Sequence, residues 1–156
     1  MIFLQTQRLT LRPFRESDLP AFAAYRSDPE VARYQSWTAP YSLARAEAFF
    51  SEMENARAGA PGTWFQLAVE RQTDAGIIGD CAFQVLAEDD RQALIGFTFS
   101  REFQGQGYAS EAVRRLLAYL FDDLHLHRVC AICDVDNTPS YRLLERVGMR
   151  REGHFI

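Results

Sequence analysis

The chain reads as an α/β domain: a mixed, mainly antiparallel sheet with helices on both faces. Three observations predict this. Three strand-like segments, at residues 63–71, 76–86 and 92–100, follow one another through short connections, which makes them antiparallel neighbours. Ala109, Ala112, Val113, Leu116, Leu117 and Leu120 then recur at the spacing of one helical face. A β-branched apolar run at 127–135 follows that helix, and strand, helix, strand in this order implies a parallel pair joined by a crossover.

The remaining elements follow from local chemistry. Residues 8–14 read as a first strand. Ser17 is placed to cap a helix with Asp18 in its first turn and Pro20 near its start, running to about Ser27. Asp28-Pro29 opens a short turn or helix. Ser42 caps a second helix, whose apolar face is Leu43, Ala46, Phe49, Phe50 and Met53, and Gly59-Ala60-Pro61-Gly62 stops it. In the strand at 63–71, Trp64, Gln66 and Ala68 alternate with Phe65, Leu67 and Val69. Pro139 starts a last helix that stops at Gly148, and residues 149–156 could add one more strand. No repeat, low-complexity tract or linker divides the 156 residues, so a single domain is expected.

Composition narrows the function. A net charge of −4, with no basic cluster beyond short pairs such as Arg114-Arg115, argues against a duplex nucleic-acid binder. No 18-residue apolar run is present, and Met1–Thr6 lacks the pattern of a signal peptide, so a cytoplasmic location is expected. Cys130 and Cys133 have CxxC spacing but lie in a strand-like run, where residues three apart face opposite ways. His125 and His127 have no carboxylate or thiol at ligand spacing. No metal is expected.

The glycine turn at 104–109 carries the chemistry. Gln104-Gly105-Gln106-Gly107-Tyr108-Ala109-Ser110 lies between a strand and the amphipathic helix. A helix N-terminus offers unpaired N–H groups and a partial positive charge, suited to a diphosphate. The dipole contributes only about 0.3–1 kcal/mol per charge, so directed N–H bonds must supply more. There is no GxxxxGK[ST], which excludes a P-loop. A dinucleotide fingerprint would need Gly or Ala where Ser110 stands.

Gln104-x-x-Gly107-x-Ala109 matches the Q/R-x-x-G-x-G/A motif of the GNAT acetyltransferases. Leu4-x-Thr6-x-Arg8-Leu9-x-Leu11-Arg12-Pro13, FQGQGYASEA at 103–112, Leu126-His127-Arg128-Val129 and Asn137-x-x-Ser140-x-x-Leu143-Leu144-Glu145-Arg146-x-Gly148 resemble its RimJ/RimL-like branch. The resemblance implies acetyl-CoA as co-substrate and direct acetyl transfer to a primary amine, at a protein N-terminus or on a small molecule. It also implies a GNAT-like sheet whose splayed parallel strands receive the pantetheine arm.

Carried over residue by residue, main-chain groups near Phe97 and Phe99 would pair with the pantetheine amides. The amides of Gln104, Gly105, Gln106, Gly107, Tyr108, Ala109 and Ser110 would take the pyrophosphate. Asn137 would bind the pantetheine arm, cap the following helix, or do both. Many family members place an acidic Tyr seven residues after this Asn; here that position is Leu144. Ser140 matches the serine of the RimL-like branch, as the group that hydrogen-bonds the leaving thiolate. A Glu often found in relatives on the fourth strand, here 92–100, is replaced by Leu94, and Asp80 and Glu70 read as solvated strand residues rather than as a base. Tyr34, Trp37 and Tyr41 line an acceptor pocket or pack in the core. Relatives usually continue past Ile156, so the strand at 149–156 is expected to be covered by another chain, as in a homodimer, or to be poorly ordered. The alternatives are a non-catalytic acyl-CoA-binding domain and a nucleotide-binding module.

Overall fold

A computed structural model describes residues 1–155. Its centre is a six-stranded sheet in the order β1-β2-β3-β4-β5-β6, with β1 Leu4–Gln5, β2 Leu9–Arg12, β3 Trp64–Arg71, β4 Ile77–Val85, β5 Gln92–Phe99 and β6 Arg128–Ala131. All neighbours are antiparallel except β5 and β6, which run parallel. The helices are α1 Leu19–Arg26, α2 Pro29–Ala32, α3 Leu43–Glu54, α4 Tyr108–Ala118 and α5 Thr138–Arg146.

Alternation along the strands divides the apolar side chains between two faces. Phe65, Leu67, Val69, Cys81, Phe83 and Ile95 join Val113, Leu116 and Leu120 of α4 and its continuation in one cluster. Leu116 and Leu120 are fully buried, and burial of each side chain stabilises by about 1.5–3 kcal/mol. On the other face, Ala68 packs with Phe22 of α1, Ala46 of α3 and the ring of Tyr41. The expected apolar face of α3 holds at Ala46, but Leu43 at its start is exposed.

Several boundaries differ from expectation for local reasons. Ser17 caps no helix; it lies inside a short 3₁₀ turn, Glu16–Asp18. Asp18 is committed elsewhere, accepting 2.8 and 2.9 Å bonds from the Arg12 guanidinium. Ser42 does cap α3, its hydroxyl accepting from the Arg45 amide at 3.1 Å. The parallel strand expected over 127–135 pairs only over Arg128–Ala131, so Cys133 lies beyond it and strand alternation does not govern the CxxC pair. α5 ends as expected: Gly148 takes φ +97°, and Gly148 and Met149 N–H groups donate back to Glu145 and Leu144. Residues 149–155 form no strand, and Ile156 lies outside the described residues. Among the described residues, no helix is long and apolar enough to cross a membrane.

Candidate functional site

The candidate site lies at the carboxyl end of the parallel pair, where open α/β sheets place their ligand crevices. Pairing runs from Gln92 with Arg128 to Ile95 with Ala131 and then stops, while β5 continues to Phe99. In an antiparallel ladder, alternate residues of β5 bond to β4. Leu86 donates to Gln92, and Ser100 donates to Ile78. The even-numbered residues between them therefore face β4, and Phe97 and Phe99 turn their main-chain groups to the side that β6 has left. An extended amide chain can add there as a strand would. The Phe99 carbonyl already accepts a 3.0 Å bond from the Gln104 side-chain amide, which leaves the Phe97 groups and the Phe99 N–H.

Beyond β5, a 3₁₀ turn at Arg101–Phe103 delivers the chain to the glycine turn. Gly105 and Gly107 adopt φ +74° and +82°, values that glycine reaches without steric cost. A Cβ at Gly105 would meet nothing within 4 Å, so the surface above it is open. The Gln104 amide is spent on the Arg101 carbonyl at 3.2 Å, and the first bond of α4 is from Glu111 N–H to the Gly107 carbonyl. Between them, the N–H groups from Gly105 to Ser110 donate to no other described group. The Ser110 side chain is buried, its hydroxyl accepting from Arg146 at 3.4 Å. Gln106 directs its side chain back to the Glu102 carbonyl at 2.9 Å. This donor set fits a diphosphate.

Asn137 and Ser140 follow the carboxyl end of β6. Asn137 is the N-cap of α5, its Oδ1 accepting from the Ser140 amide at 3.4 Å. Both side chains are half-buried, and the Ser140 hydroxyl bonds to no other described residue. Leu144 is buried in the core against the α4 face of the sheet.

Two carboxylates that read as solvated are not. Asp80 is fully buried, accepting from the Tyr25 hydroxyl and from Gln66 at 3.4 Å, with Arg26 4.0 Å away. Burial raises its pKa against the opposing pull of Arg26 and the Tyr25 bond. The Arg26 guanidinium lies 3.9 Å from the Trp37 ring and 4.3 Å from that of Phe22. Glu70 accepts 2.9 and 2.6 Å bonds from Arg12. Trp37 and Tyr41 are core residues, whereas Tyr34 is half-buried. Among the described residues, no three metal-binding side chains come together.

Sequence reading missed the contacts behind the turn. Glu111 accepts from the Thr6 hydroxyl, from the Arg8 amide at 2.9 Å and from Arg8 Nε at 2.7 Å. Arg8 Nη1 donates to the Gln106 carbonyl at 3.1 Å, and its guanidinium lies 4.2 Å from the Tyr108 ring. Thr6, Arg8 and Glu111 all stand in recognised motifs, but no local pattern signals a pairing across 103 residues.

A parallel pair whose ladder stops at Ile95 and Ala131, beside a glycine turn at a helix N-terminus, suits a ligand that carries both amides and phosphates. Residues 8–150 match the Acetyltransferase (GNAT) domain family, and the chain belongs to it. An uncharacterized N-acetyltransferase, p20 of Bacillus licheniformis, is 34% identical over 96% of this chain and 83% of its own length. The structure of a putative ribosomal-protein-serine acetyltransferase from Vibrio cholerae superposes with TM-score 0.83 at 25% identity, covering 97% of this chain and 85% of that one. Spermidine N-acetyltransferase from Vibrio cholerae, in complex with CoA and spermine, gives 0.81 at 25% identity over 97% of this chain and 86% of that one. The chain is an N-acetyltransferase of the GNAT family.

Proposed function

We propose that the chain is a RimJ/RimL-like N-acetyltransferase, one domain over residues 1–156, that moves acetyl from acetyl-CoA to a primary amine. The acceptor is a protein N-terminus or a small-molecule amine. The likeness to a ribosomal-protein acetyltransferase supports the first class and the likeness to a spermidine acetyltransferase supports the second.

The observation that carries this reading is the open edge of β5 next to the free amides of the glycine turn. In this reading the N–H groups from Gly105 to Ser110 bind the diphosphate, and the Phe97 main chain and Phe99 N–H hold the pantetheine amides. Gln104 serves from behind, its side chain holding the end of β5. Asn137 caps α5 and thereby orients Ser140. Bound acetyl-CoA supplies an activated acyl group: the amine nitrogen forms the new C–N bond, the C–S bond breaks, and the electron pair leaves on sulfur. The Ser140 hydroxyl donates a hydrogen bond to that thiolate, and the amine's proton passes to water. At Gly96, just past the last β5–β6 pair, an added Cβ would meet nothing within 4 Å, so the sheet is open there to an acceptor.

Thiol release from acetyl-CoA, measured against a panel of polyamines, amino acids and short peptides, tests the proposal. Release that depends on a primary amine is expected. Release with none of them, together with no binding of CoA, overturns it.

A further inference from the structure

The glycine turn needs its peptides held in one orientation, and Arg8 and Glu111 are built to hold one of them. In a trans peptide the C=O and the following N–H point in opposite directions. Arg8 Nη1 binds the Gln106 carbonyl at 3.1 Å, so the Gly107 N–H points away from Arg8. Turning the Gln106–Gly107 peptide over changes ψ of Gln106 and φ of Gly107; Gly107 is at φ +82°, and glycine reaches positive and negative φ about equally well. The flipped peptide would present a carbonyl oxygen where an anion must sit.

The arginine is itself fixed. Glu111 binds both its Nε and its main-chain N–H, the Thr6 hydroxyl donates to the same carboxylate, and the Tyr108 ring lies against the guanidinium. The pair also neutralises a carboxylate in the first turn of α4. Left unpaired, that charge would oppose a diphosphate at the same helix end.

We propose that Arg8 and Glu111 are positioning residues for the donor, acting by holding the Gln106–Gly107 peptide with its N–H toward the diphosphate. This rests on the acetyl-CoA reading above.

The test is steady-state kinetics of Arg8→Ala, Arg8→Lys and Glu111→Gln with any amine that the wild type acetylates. The proposal expects the KM for acetyl-CoA to rise about tenfold in Arg8→Ala, with kcat and the acceptor's KM within about twofold of wild type. Arg8→Lys, which keeps the charge without the fork, recovers part of the loss. An unchanged donor KM overturns the proposal, as does an equal loss in kcat and in both KM values, the mark of general loosening. If Arg8→Ala does not fold, the isosteric Glu111→Gln carries the same expectation at about threefold. If the wild type acetylates no amine, CoA affinities of wild type and variants, measured by calorimetry, decide the matter: equal affinities overturn the proposal, and a tenfold weakening upholds it. A wild type that binds no CoA instead fails the acetyl-CoA reading itself.

Discussion

Ile95 and Ala131 are the last paired residues of the parallel strands, and from there to Phe99 β5 is paired with β4 only. This one-sided stretch ends at Phe99, and the Arg101–Phe103 turn and the glycine turn then lead into α4. One short segment therefore supplies an open strand edge and a helix N-terminus, which together suit a ligand with amides at one end and phosphates at the other.

The two glycines of the turn should respond differently to the same substitution. A Cβ at Gly107 lands 3.3 Å from Arg8 Nη2 on a left-handed backbone, whereas at Gly105 the backbone is left-handed but the space is free. The backbone cost is about 1–2 kcal/mol at either position. Gly107→Ala also displaces Arg8, so it is expected to weaken CoA binding more than Gly105→Ala. Calorimetric titration with CoA checks the order.

Ser140→Ala removes a hydroxyl that bonds to nothing else among the described residues, so stability is expected to stay within about 0.5 kcal/mol. Its kcat should fall at least tenfold if the hydroxyl serves the leaving thiolate. A kcat within about twofold of wild type rejects that role. Asn137→Ala removes a helix cap, and a loss of about 1 kcal/mol in stability is expected from denaturant titration.

Asp80→Ala deletes the carboxylate facing Arg26 and Tyr25 in the interior. Loss of one member of a buried pair costs about 3–5 kcal/mol, so a large drop in the urea midpoint is expected. Asp80→Asn keeps a partner for the Tyr25 hydroxyl and should cost less.

The Glu111 carboxyl links stability to pH. Burial alone would raise its pKa, but the bonds from Thr6 and Arg8 bring it below the ordinary value. A carboxylate with a depressed folded pKa contributes stability that is fully present above its unfolded value, about 4.3, and lost as pH falls through the folded one. Melting temperature should therefore fall more steeply below about pH 5 in wild type than in Glu111→Gln. Parallel acid limbs would contradict this.

Much of the fold was legible because its signals are local. The α4 stripe repeats over three turns, Ser42 and Gly148 terminate helices through their own chemistry, and short connections dictate antiparallel neighbours. β1 escaped notice because two residues have no periodicity to read. Asp80 was misjudged because a carboxylate in a strand is ordinarily solvated, and only folding brings Tyr25 and Arg26 to it. Gln104 shows the same limit. Its motif carries the family resemblance, but its amide and side chain are spent on Arg101 and Phe99.

Calorimetric titration of the wild-type chain with CoA tests the central claim most directly, set beside Gly107→Val, which places a branched side chain on the left-handed backbone at Arg8. Saturable one-to-one binding by wild type is expected, with binding by the variant at least tenfold weaker. Absence of binding by wild type, or equal affinity in a folded Gly107→Val, would contradict the placement of the donor at the end of β5.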